Sequence, residues 1–515
     1  MPSISRDSAI LDGPVVSETW TNGIYPDFIA NPMAPWNPVG PLTLLPLPPH
    51  LPRQLPSRNI GNFSQSSGNV AQVLVRVPHS YDMTAITSGS KREALAWPNY
   101  TSLDEKIDLE DPRLPLLVAP TLDKNVKENA LPFVIQCYSQ WAIFRLFEPL
   151  KAIHAMENQL IKQFSLKDTR TRTILLANVM RMYTKNLEID GTGVSILNYL
   201  SNEVEKSVKL FMATRPSSPV IDKQNAIHAL DTTLELFAIQ VNSHPLATCF
   251  QLLDRVAHVF RRACPQPPGH ALNLLDILMD PNPNLRHFAI IDIMGSVAVG
   301  RPSCFRYEVP LSFDLCGYIN QLQNTHSLRW LHGMPEEIVL LFAWINHLCE
   351  TPGVSDNPEL IPSIEKLILQ IRMTNDGSDE PILMLGRVVV QECWRSAVFI
   401  YLYMVLGKAN ALDPRVIRAQ KGFMQLIRGV KPGRRPDVHL LGPIVVAGVA
   451  TLEEEDRSTL RQRILGIREC TVPGTTGNEA LLELEDIWTR TKNERRAAIW
   501  LDLRISHMRI TQLWS

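Results

Sequence analysis

From about Asp123 onward, apolar residues recur at the three- and four-residue steps of one helix face. In QWAIFRLFEPLKAIHAM the stripe is Ile143, Phe147, Leu150 and Ile153, and Pro149 predicts a kink or a division within it. Ile227, Leu230, Leu234 and Phe237 form a second stripe, and Leu252, Val256, Val259 and Phe260 a third. In PEEIVLLFAWINHL, Pro335 suits the first helical turn and the two glutamates favour its positive end. Ile338, Leu341, Ile345 and Leu348 then make the buried face. Ile361, Ile364, Ile368 and Ile371 repeat the theme. Asp413-Pro414 reads as cap and first turn of a helix carrying Val416, Phe423 and Ile427. Asn478 is placed to cap a helix carrying Leu481, Leu484 and Trp488. About a dozen helices are expected. Period-2 alternation is nearly absent, and neither a solenoid repeat nor a sustained heptad is present. The expected fold class is therefore all-α, an irregular multi-helix bundle over residues 119–515.

The first 118 residues are a different material. Twelve of the 39 prolines fall within the first 60 positions, including the run PLTLLPLPPHLPRQLP. Proline fixes φ and removes a donor, so a disordered Pro/Ser-rich arm is expected, extended where prolines cluster. Within it, 70–77 (VAQVLVRV) has the composition of a lone strand, and PPHLPR has a slight likeness to a ligand of proline-binding domains, a flexible spacer being the favoured reading.

Charge changes the picture only by exclusion. Lys plus Arg (51) nearly equals Asp plus Glu (52), whereas a chain that grips DNA over a broad surface carries a basic excess. Direct DNA binding by this chain alone is not expected. The N-terminus lacks the basic-then-apolar pattern of a signal peptide. The most apolar stretch, SAVFIYLYMVLG (396–407), is about half a bilayer span, so a buried helix is expected, without membrane insertion. A soluble, intracellular protein follows. The eight cysteines (137, 249, 264, 304, 316, 349, 393 and 470) lie no closer than 12 positions apart and never as C-x-x-C, so no zinc cluster can be assembled from neighbours. Buried, unreactive thiols are the expectation.

The search for chemistry returns mostly exclusions. The sequence lacks G-x-S-x-G, the phosphate-binding G-x-x-x-x-G-K-[ST], a dinucleotide G-x-G-x-x-G and H-E-x-x-H. His154, His228 and His258 read as packed or half-exposed histidines within helices. Lys431-Pro-Gly-Arg434-Arg435-Pro436 has the composition of a nuclear import signal or a phosphate contact, and equally of a solvated loop, which is the favoured reading. Glu453 to Asp456 reads as a helix start or exposed turn. Trp330, Trp344, Trp394, Trp488 and Trp500 are expected in the core. No catalytic, cofactor-binding, metal-binding or DNA-binding residue is assigned, no cofactor is implied, and an enzyme is not expected.

Four segments resemble the fungal-specific transcription factor domain, the helical regulatory region of fungal zinc binuclear cluster regulators. They are HGMPEEIVLLFAWINHL (332–348), CWRSAVFIYLYMVLG (393–407), GPIVVAGVATLEEEDRSTLRQRI (442–464) and NEALLELEDIWTR (478–490), with a weaker likeness back to Asp123. Their shared features are packing motifs. Gly448 is expected to allow close helix approach and Trp488 to anchor a core layer. The family's six-cysteine zinc cluster and its coiled-coil segment have no counterpart in these residues. The resemblance implies a transcriptional regulator in the nucleus, with protein partners of the transcription machinery and room for a small-molecule effector. The alternative is a non-enzymatic helical scaffold or adaptor, in the cytoplasm.

Overall fold

The structure is a computed structural model. It describes residues 129–511 apart from 166, 187–188, 215–217, 268, 310–327, 354–356 and 374–380. The expected arm, the 70–77 strand and Cys316 lie outside the described residues.

Of the described residues, 77% are helical, which makes the fold all-α. Six helices come first: α1 (Ala130–Arg145), α2 (Pro149–Ser165), α3 (Lys167–Asn186), α4 (Gly191–Ala213), α5 (Pro219–Gln240) and α6 (Leu246–Ala263). A two-residue strand, β1 (Leu272–Asn273), leads into α7 (Leu274–Met279) and α8 (Pro283–Val299). It pairs in parallel with β2 (Tyr307–Glu308), a ladder too short for any alternation in the sequence to reveal. Then come α9 (Arg329–His332), α10 (Glu336–Cys349), α11 (Leu360–Gln370), α12 (Pro381–Tyr401) with a π turn at Leu402–Leu406, and α13 (Pro414–Arg428). The chain closes through α14 (Arg434–Val449), α15 (Glu454–Leu465), a 3₁₀ turn at Arg468–Thr471, α16 (Thr476–Asn493) and α17 (Leu501–Thr511).

Local chemistry sets many of the boundaries. Pro149 divides its stripe, because a ring without N–H is tolerated only in the first turn. Phe147 on the near side is buried, while Leu150 on the far side is exposed, against expectation. Asp413 accepts the Arg415 N–H at 2.8 Å and Pro414 fills the first helical position. Two starts shift. Pro335 sits one residue before its helix, as the cap, and the helix carrying Trp488 begins at Thr476 with Thr475 as its cap. Asn478 donates its N–H to the Thr475 hydroxyl and its side-chain amide to the Cys470 carbonyl.

One continuous core runs through the domain, from Phe133 in α1 to Leu503 in α17. Residues 385–406 form a helix long and apolar enough to cross a membrane, and 72% of its window is buried against protein. Ala397, Val398, Ile400 and Leu402 are fully enclosed, as expected of a buried helix. Trp344, Trp394 and Trp488 are buried, while Trp330 and Trp500 pack half-buried on the core. Cys137, Cys249, Cys264, Cys393 and Cys470 are buried, but Cys304 is only partly covered and Cys349 is exposed, which corrects the expectation of uniformly buried thiols.

Candidate functional site

The basic cluster Lys431–Pro436 is where the structure departs most from the expected solvated loop. Lys431 is exposed, but Arg434 and Arg435 open α14 pointing inward, 6% and 3% exposed. Arg434 forms a two-pronged bond with the Glu469 carboxylate, Nη1 to Oε2 at 2.6 Å and Nη2 to Oε1 at 2.8 Å. Arg145, at the end of α1, donates to the same carboxylate at 2.6 Å. Burial alone would raise the Glu469 pKa, but hydrogen bonding and charge from Arg434, with Arg145 behind it, hold it down at about 2. Arg435 donates to the carbonyls of Ile143 and Leu146, the unsatisfied acceptors at the end of α1.

A second buried guanidinium does the same for α13. Arg463 of α15 donates to the Ile427 and Val430 carbonyls and binds Asp437 at 2.7 Å. The acidic run starts α15 as expected. Glu453, Glu454 and Glu455 are exposed, while Asp456 turns in to accept from Arg428 at 2.7 Å and Gln420 at 3.1 Å. Charges that look like surface decoration in the sequence are thus helix caps and cross-links between helices.

Beside this seam lie three histidines that the sequence did not single out. The His287 and His332 rings are 5.3 Å apart, and His439 meets Phe147 edge-on at 5.2 Å. Burial drives all three toward the neutral form. It lowers His287 to about 3 and His332 to about 4, and His439 lies well below its usual value through burial and the nearby Arg435 and Arg145 charges. No signal marks them in the sequence, because they are 45 and 107 positions apart and meet only through the fold. Of the histidines that were singled out, His228 and His258 are both exposed on their helices. The fold brings neither of them into a site.

Gly448 and Trp488 behave as packing residues. A Cβ on Gly448 would lie 2.7 Å from both methyls of Leu484, so only glycine lets α14 and α16 approach this closely. The Trp488 indole donates to the Gly448 carbonyl at 2.9 Å, and Arg457 and Arg461 stack on its ring.

The first six helices lock onto this later half. Besides Arg145–Glu469, the Leu246 N–H donates to Glu479 at 2.7 Å and the Thr476 hydroxyl to the His244 carbonyl at 3.1 Å. Phe147 and Glu148 donate their N–H groups to the Leu331 and Trp330 carbonyls. Among the described residues, no group of His, Cys, Asp and Glu is arranged to hold a metal ion. A crevice between α8, α10 and β2, lined by Ser303, Arg306, Tyr307, Asn346, His347 and Glu350, has room for about one water. Its polar groups already engage one another or their neighbours, as in Arg306 with His347 and Asn346 with Ser296.

With this geometry in hand, the comparisons place the seam. The model of the fungal specific transcription factor domain matches residues 279–509. That span runs from the end of α7 into α17 and contains all four segments on which the resemblance rests. The resemblance is therefore shown for the later half of the chain, and the family it points to is one of transcription factors, not of enzymes. No curated protein and no solved structure matches the chain.

Proposed function

We propose that this protein is a transcription regulator of the nucleus whose helical domain works through protein partners of the transcription machinery. The observation that carries this reading is the family match over 279–509. The cross-links described above support it further, since they join α1–α6 to the matched span and give a large rigid body suited to presenting surfaces. Sequence-specific contact with DNA would be supplied from outside these 515 residues, whose cysteine spacing offers no zinc cluster. A helical scaffold outside transcription is the second reading, favoured by that same cysteine spacing.

The test is to fuse the full chain to an unrelated DNA-binding module in a fungal host, with nuclear delivery supplied. The expected result is a several-fold rise or fall in reporter output. An unchanged reporter, from a fusion shown to be folded and nuclear, would overturn the proposal in favour of the scaffold.

A further inference from the structure

We propose that the outward face of α13 lies against the sugar–phosphate backbone of a nucleic acid duplex, as a contact independent of base sequence. The chain as a whole is near neutral, but its charges are unevenly spread. From Pro414 to Pro436 there are seven basic residues and no acidic one. Arg434 and Arg435 of that run are buried in the seam. The others belong to α13 and its exit. Toward the protein, α13 buries Val416, Gln420, Phe423, Met424 and Ile427 and packs on α12. Beyond Pro414, its exposed residues are Arg418, Lys421, Gln425 and Arg428, at steps of three, four and three residues. Those steps form one straight stripe about 15 Å long. Exposed Lys431 follows just beyond it.

The chemistry of the stripe identifies the occupant. Each of its four side chains carries N–H donors that suit a phosphate oxygen, and three of the four are cations. None of the large apolar side chains of α13 is exposed. A protein partner would look for such an anchor, because protein interfaces centre on buried apolar and aromatic groups and are depleted in lysine. A duplex needs none, since cations that neutralise its phosphates gain affinity by releasing counterions. The elements around α13 leave its middle charges available. Arg415, at its start, is bound by Asp413 at 2.9 Å, with Glu365 of α11 nearby. Arg428, at its end, is shared by Asp456 at 2.7 Å and Glu455 at 3.4 Å, both from α15. Arg418, Lys421 and Lys431 have no carboxylate partner among the described residues. Three free cations match about three phosphates, so the contact is weak and adds to a sequence-reading contact made elsewhere. The inference deepens the proposed regulator reading and rests on it, because such a contact would orient the helical domain beside the DNA that a separate reader holds.

The test titrates a fluorescent DNA duplex of about 20 base pairs with the full chain and follows its anisotropy at about 50 mM salt. Binding with a Kd of about 1–100 µM is expected, alike for two unrelated sequences and about forty-fold weaker at about 200 mM salt. Arg418→Glu/Lys421→Glu should weaken binding by at least about tenfold and reduce the salt slope by about two. Arg418→Lys/Lys421→Arg keeps both charges and should bind as the wild type does. Lys206→Glu/Lys209→Glu makes the same change of net charge on α4 and should also leave binding unchanged. All these positions are exposed, and an unchanged thermal unfolding midpoint confirms that each variant is folded. A duplex left unbound at the lower salt overturns the proposal. So does binding that the reversal on α13 leaves unchanged, or that the reversal on α4 weakens equally. Polyglutamate of equal charge bound more tightly than the duplex would overturn it too, and give the face to an acidic protein. The reporter fusion takes its DNA contact from another module, so its result stands apart from all of these, and the two readings can fail separately.

Discussion

At the scale of the residue, the most consequential side chain is Glu469. It is 4% exposed and neutralises two arginines from distant parts of the chain, Arg434 at the start of α14 and Arg145 at the end of α1. Removing one member of a buried charged group leaves the others desolvated and unpaired, which costs about 3–5 kcal/mol. Glu469→Ala is accordingly expected to lower unfolding stability by that amount in urea denaturation, with Arg434→Ala close behind. A loss below about 1 kcal/mol would mean that water reaches the cluster and screens it.

The buried histidines yield a pH dependence at the same scale. His287, His332 and His439 have folded-state pKa values below the ordinary 6.5, so the unfolded chain takes up their protons first. Their contribution to stability is complete above about pH 6.5 and is lost as pH falls from there toward 4. Glu469 and Asp502, both held at about 2 against the effect of burial by their arginine partners, extend the loss below pH 4.5. Glu235 runs the other way. Burial raises it to about 7, with Asp231 adding to the shift and Arg172 opposing it, so its contribution falls as pH rises between 4.5 and 7. Asp437, which burial raises to about 6, acts with Glu235, as do Asp292, Glu350, Glu479 and Glu483, each raised by burial. The histidine contribution is therefore read by difference: His332→Phe should cost less stability at pH 5 than at pH 7 in urea denaturation. An equal cost at the two pH values would show that this imidazole titrates alike in the folded and unfolded chain.

At the scale of the element, much of the architecture was legible in the sequence. The stripes at Ile338–Leu348 and Val416–Ile427 are buried, and so is that at Ile361–Ile371 apart from the half-buried Ile361, because a 3.6-residue period is written locally. Asp413-Pro414 is likewise a local signal, and the structure uses it as read. What could not be read depends on distance along the chain. Arg435 looks like part of a polar loop because its acceptors, Ile143 and Leu146, lie about 290 positions earlier. The Asn478 start moved by three residues because a threonine just ahead of it offers an equally good hydroxyl cap. Leu150 follows the pattern of its stripe yet faces solvent, since the break at Pro149 re-aims the helix that follows.

At the scale of the molecule, the family match begins at residue 279, but the cohesive unit begins earlier. Arg145, Phe147, His244 and Leu246 all lie before that point, and each holds a residue that lies after it. Phe147 fills the space against Gly333, where a Cβ would approach its ring to 2.6 Å, and Phe250 packs on His507 at 6.4 Å. Excising the matched span would expose the faces of α8, α14 and α16 that the first six helices cover. It would also leave Arg434 and Glu469 without Arg145. The central structural claim is therefore that α1 to α17 form one cooperative domain, half of which carries the family's sequence pattern. The most direct test compares the urea unfolding of residues 119–515 with that of residues 279–509. The account predicts a single sharp transition for the longer fragment, and for the shorter one a broad, early loss of helix with exposed apolar surface. A shorter fragment that unfolds as sharply, and at the same urea concentration, would contradict it.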